Sequence, residues 1–163
     1  MAIKRFASGV NLGLHSTPTV PWPEAVTQVF KAGAPLVVVA NRASEPANGA
    51  AIAAKNLIGF AEHDATGRTD FADAIVPALP SLLFDASVDG AQAAGNAPGT
   101  GTVLLAQLGA IFGLQKDGAS GLWYVDVSGA GTHVVVVELI DAIGTVQGRV
   151  RCMPLLSATI FGQ

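Results

Sequence analysis

One cysteine, Cys152, stands in 163 residues, so no disulfide can form within the chain. It falls in the apolar run Val150–Leu156, where the expectation is a buried, inert thiol. A chain without disulfides suits assembly in a reducing cytoplasm. Charge is scarce as well: 13% of residues are Asp, Glu, Lys or Arg, against about 25% in an ordinary soluble domain. Aromatic residues make up only 6%, which weighs against a carbohydrate-binding or adhesive β-module built on surface rings. The longest apolar stretch, Val103–Leu114, is interrupted by Gln107, Gly109 and Gly113. It falls short of the roughly 18–20 residues a membrane helix needs. Met1–Gly9 holds too short an apolar run for a signal peptide, so no export by that route is expected.

The net charge of −3 carries no basic stripe, and nucleic acid is not an expected partner. Its distribution is uneven. Between Arg68 and Lys116 there is no basic residue, while Asp70, Asp73, Asp85 and Asp89 all fall there. These read as solvated loop residues or as an acidic centre flanked by basic ends, Lys4 and Arg5 at one and Arg149 and Arg151 at the other. Basic ends can grip an acidic partner surface. Half of the residues are hydrophobic. With so little charge to cover a lone monomer, much of the surface is expected to be buried against other chains, a homo-oligomer (trimer or dimer) among them.

Chemistry-bearing patterns are sparse. Glu62-His63-Asp64 is the one tight acid–histidine cluster, but neighbours along a strand point to opposite faces and no second ligand motif accompanies it. Ser120 in Gly118-Ala-Ser-Gly121 lacks the second glycine of a nucleophile elbow, because Leu122 stands there. Gly99-Thr-Gly101 lacks the third glycine of a dinucleotide fingerprint, because Leu104 takes its place. No catalytic residue, metal ligand or cofactor is assigned, and the chain is read as a non-enzyme. Trp123 and Tyr124 are adjacent in a strand, so one is expected to face inward and the other outward.

The fold expected is all-β and mainly antiparallel, a small β-barrel or β-sandwich with an extended N-terminal arm. Residues 1–23, with Pro18, Pro21 and Pro23, form the arm; residues 24–163 form a single β-rich domain. Trp22 is a candidate anchor of the arm, which lies on a partner or folds back on its own domain. Strands are expected at Pro35–Ala40, Asn56–Ala61 and, more weakly, Phe71–Val76 and Ser81–Val88. Asn41–Gly49 and Asp89–Gly101 read as loops. Thr102–Leu114 reads as a strand with a bend. Gly121–Val127, Thr132–Ile140 and Val146–Leu156 recur at intervals of about 12 residues and read as an antiparallel meander. A short helix near Ala50–Lys55 or Pro23–Phe30 is compatible with this pattern.

Two stretches carry a family resemblance. Asn56-Leu-Ile-Gly-Phe-Ala-Glu-His-Asp-Ala-Thr-Gly67 resembles the strand and turn of small phage virion proteins. Gly113-Leu, Gly121-Leu-Trp-Tyr-Val-Asp, Val134-Val-Val-Val-Glu-Leu and Gly148-Arg-Val-Arg-Cys-Met-Pro154 look like their closing β-strands. The chain thus resembles the head decoration, or cement, proteins of tailed bacteriophages over residues 30–156. The resemblance implies a β-rich fold that binds the assembled shell of major capsid protein on its outer surface after synthesis in the bacterial host cytoplasm. It transfers no catalytic residue. The expected contact residues, Lys4, Arg5, Phe6, Trp22, Arg149 and Arg151, come from the basic ends and the arm, the last of which lies outside the match. Open strand edges are a further means of pairing across subunits. Other readings are a tail-tube, connector or fibre-base protein, or the adhesive module disfavoured above.

Overall fold

The computed structural model describes residues 19–47, 52, 55–67, 72–89, 101–116, 121–128 and 131–162. Ten strands run through them: β1 Val20–Pro23, β2 Pro35–Val39, β3 Arg42–Ser44, β4 Leu57–Ala61, β5 Ala72–Pro77, β6 Phe84–Asp89, β7 Ile111–Lys116, β8 Trp123–Asp126, β9 Val134–Leu139 and β10 Arg149–Pro154. Two single turns of 3₁₀ helix, Leu105–Gln107 and Leu156–Ala158, are the described helical segments. The all-β, mainly antiparallel architecture expected from the sequence is present, with a closed barrel in it.

The first five strands form one sheet in the order β1-β5-β4-β2-β3. Its central strand β4 is apolar at every position and buried throughout, as a strand covered on both faces must be. Val20–Pro23, assigned on sequence to the arm, is an edge strand antiparallel to β5. Edge position explains how Pro21 and Pro23 fit a sheet: neither has an N–H to donate to a ladder. Trp22 packs partly buried against the core. The sheet then curls until its two edges meet. Glu24 bridges Ala43 in parallel, and Ala25 N–H donates to the Ala43 carbonyl at 2.9 Å. Pro23–Phe30 therefore holds a turn and no helix, and β3 interrupts the stretch read as the loop 41–49.

The last five strands close a barrel in the order β10-β6-β8-β7-β9. This corrects the expected meander. β8 does not pair with β9; it lies between β7, antiparallel, and β6, parallel, and β9 lies between β7 and β10. Glycine-bounded strands locate ladders but not partners, because pairing is set by contacts distant in sequence. Thr102–Leu114 likewise divides into the 3₁₀ turn and β7, with Gly109 in the left-handed region at φ +79° between them. Inward residues alternate with outward ones along β10, where Val150, Cys152 and Pro154 are buried. Side chains from the five strands, among them Phe84, Val88, Leu114, Val125 and Val136, fill the barrel.

Sheet and barrel share a single hydrophobic cluster. Phe60 of β4 and Phe84 of β6 stack at 4.6 Å between ring centres. After the barrel the chain returns to the sheet, where Thr159 bridges Leu57 and Ile160 N–H donates to the Leu57 carbonyl.

Candidate functional site

Polar side chains that are buried in this fold serve as ties between strands. Glu24, fully buried, takes three donors on its carboxylate: Thr66 N–H at 3.0 Å, Thr66 Oγ1 at 2.8 Å and Gly67 N–H at 2.6 Å. Arg42 donates to its backbone carbonyl. The residue that closes the curled sheet thus also clamps the 64–67 loop, with its charge satisfied by backbone and hydroxyl donors.

Glu45 ties sheet to barrel. Its carboxylate accepts Lys116 Nζ of β7 and Trp123 Nε1 of β8, each at 2.8 Å. Both ionic side chains are nearly buried. A cleft of about 30 Å³ opens beside them, lined by Lys31, Gly33, Glu45, Leu122 and Trp123 among others. That is room for a water or two and not for a substrate.

His133, buried before β9, is the second tie. Leu114 N–H donates to Nδ1 at 3.1 Å, so the ring proton sits on Nε2 and faces the Ile52 carbonyl at 2.5 Å. Desolvation pulls its pKa below the ordinary 6.5, against the raising effect of the Ile52 bond. The ring is held neutral as a doubly bonded spacer.

Of the contact residues read from sequence, Lys4, Arg5 and Phe6 lie outside the described residues, as do Ser120, the pair Gly99-Thr100 and Asp70. Trp22 sits on edge strand β1. Arg149 and Arg151 both point outward from β10 and are paired with acids of their own chain. Asp141 accepts from Arg149 Nε and Nη2 as a fork at 3.1 and 2.8 Å; this pairing lowers the pKa of Asp141 and raises that of Arg149. Arg151 reaches Asp85 of β6 at 2.9 Å and Glu138 of β9 at 2.6 Å, a bridge over three adjacent barrel strands. Asp85 is therefore an ion-pair partner and Asp89 is buried, in place of the solvated loop residues expected. Asp64 pairs with exposed Lys31, which lowers its pKa. His63 is exposed beside it, and among the described residues no group of His, Cys, Asp and Glu converges on a metal position.

Two further corrections concern apolar side chains. Trp123 and Tyr124 are both buried; the outer face of β8 is covered, so alternation along the strand does not separate core from solvent. Conversely, large apolar side chains stand in solvent around the 3₁₀ turn and on the outer barrel face, among them Leu104, Leu105, Leu108, Ile111 and Val137. Sequence reasoning missed this surface, because leucines near a strand read as core. Cys152 is fully buried, as expected, and burial pushes its thiol far above the ordinary range. No helix is long and apolar enough to cross a membrane. No family model matches the chain, and no curated protein matches it.

Proposed function

We propose that this chain is a non-enzymatic virion structural protein that binds and stabilises the assembled capsid shell of a tailed bacteriophage, as a homo-oligomer on the shell's outer surface. The observation that supports this most is the division of labour between side chains. Buried Glu24, Glu45 and His133 are bonded to strands and loops of the same fold, whereas Leu105, Leu108, Ile111 and Val137 face water. A catalytic site spends its buried polar groups on a substrate; a building block spends them on rigidity and keeps apolar surface for neighbours. The barrel has no free strand edge, so its contacts with a shell are face to face and not by strand addition.

Arg149 and Arg151, paired within the barrel, enter this reading as anchors of a rigid rim, and Lys4, Arg5 and Phe6 remain its free basic end. Co-sedimentation of the purified protein with undecorated shells tests the reading. Saturable binding at a multiple of about 60 copies, as equivalent icosahedral sites require, is the expected result. No binding to intact shells would reject it in favour of a tail or connector component.

A further inference from the structure

The outer face of the barrel carries one apolar band whose members are fixed by strand register. Met153 of β10 pairs with Val135 of β9, and Val135 pairs with Ile111 of β7, so the three stand in a row across three strands. Beside this row the β9–β10 register shifts: Arg151 pairs with Glu138 and Cys152 with Val136, which leaves Val137 as the extra residue of a bulge. The bulge turns Val137 outward next to Glu138. At the other end β7 leads back through Gly109 to the 3₁₀ turn, where Leu105 is 64% and Leu108 49% exposed.

This surface is not a loose loop. Gly109 N–H donates to the Val136 carbonyl and Val136 N–H to the Ala110 carbonyl. Gln107, buried, closes the turn by accepting Leu104 N–H at 3.0 Å and donating to the Thr102 carbonyl at 2.7 Å. Val103, fully buried, is bonded both ways to Gly144 and Thr145. The leucines are held out by a backbone whose own hydrogen bonds are satisfied, so little ordering remains for a partner to impose.

We infer that the occupant of this band is a second copy of the chain, packed face to face about a two-fold axis. Charge favours that partner. Residues 101–114 contain no charged side chain, and the bordering charges, Arg151 and Glu138, are of opposite sign and already paired. A copy rotated onto the band therefore meets no uncompensated charge, as self-complementary contact requires. Size agrees: the band is a patch of a few hundred Å², at the upper limit for lone monomers. With a rim added it reaches the roughly 800 Å² per partner of a standard interface. The inference deepens the homo-oligomer part of the proposed function and does not depend on a shell being the other partner.

Sedimentation velocity of the full chain alone tests it, over concentrations of roughly 1–200 µM, with Leu108→Asp and Ile111→Ser as band variants. Val29→Asp, on the sheet unit and 81% exposed, is the control. A concentration-dependent dimer in the wild type and in V29D, with monomer in every band variant that retains the wild-type circular dichroism, is the expected result. A wild type that stays monomeric throughout overturns the inference, and so does a dimer that both band variants leave intact. Shell binding is measured separately. A monomeric wild type whose shell binding is lost in L108D hands the band to the shell and leaves the decoration reading standing.

Discussion

His133 shows how a single residue can mislead and still be informative. A histidine in a chain with few charges invites a catalytic or metal role, yet both its ring nitrogens are committed to backbone groups. Its commitment has a pH signature. The native pKa lies below the ordinary 6.5, so the unfolded chain takes up the proton first. The stability that neutral His133 confers is complete above pH 6.5 and is lost as pH falls from there toward the lowered native value. The carboxylates of Asp64 and Asp141, also lowered, add their own loss only as pH drops below 3.8. Thermal melts should therefore show Tm declining between about pH 6.5 and 5, and His133→Gln should flatten that decline while leaving the steeper loss near pH 4 in place. An unchanged slope in the variant would remove His133 as its source. Glu45 is the stronger single contact. Glu45→Ala leaves Lys116 and the Trp123 N–H without their acceptor in a nearly buried setting. It should cost about 2–4 kcal/mol, or a fall in Tm on the order of 10 °C. Glu45→Gln, which keeps an acceptor for Trp123, should cost less.

At the scale of elements, close packing makes a glycine prediction. Gly59 lies in the central strand β4, where an added Cβ would overlap the Val76 carbonyl oxygen and crowd Ile75. Gly59→Ala should separate β4 from β5 and destabilise by about 3 kcal/mol or more, read as a shift in the urea midpoint. The strands themselves were legible as runs of β-branched residues: Pro35–Ala40 becomes β2, Asn56–Ala61 becomes β4 and Thr132–Ile140 contains β9. Their partners were not. The parallel contact of β6 with β8 joins residues with no common local pattern. The three residues of β3 are too few for a periodicity to show. The ties were equally hidden, since Glu45 meets Lys116 and Trp123 across 71 and 78 positions. Low charge and high apolar content did point to buried contacts with other chains. Where the apolar surface lies depended on the bulge at Val137 and the 3₁₀ turn, and neither is written in the spacing of residues.

For the whole molecule, the boundary between arm and domain bears on how assembly is tested. Removing residues 2–22 takes away most of β1 and bares the edge of β5, so such a chain should melt earlier than the wild type, and its weaker shell binding would then be ambiguous. Lys4→Ala, Arg5→Ala and Phe6→Ala together test the arm without touching a described strand. Shell binding unchanged in that variant would reject the arm as a contact. A second question is whether sheet and barrel unfold as one. They share one hydrophobic cluster, the Phe60–Phe84 contact, the Glu45 tie and the returning segment at Thr159. Separating them would expose that shared core, so a partly unfolded state pays nearly the full hydrophobic cost with only part of the gain in chain entropy. One cooperative transition is expected. The chain's two tryptophans report on the two halves: Trp123→Phe leaves Trp22 to report on the sheet, and Trp22→Phe leaves Trp123 to report on the barrel. Within each variant, fluorescence and far-ultraviolet circular dichroism should give one midpoint. In the Trp123→Phe chain, loss of the Glu45 bond at the junction should lower the sheet signal together with the rest. A sheet midpoint that stays at its wild-type value while the barrel melts earlier would mean two independent folding units, and the shared cluster would then be a contact surface between them instead of a common core.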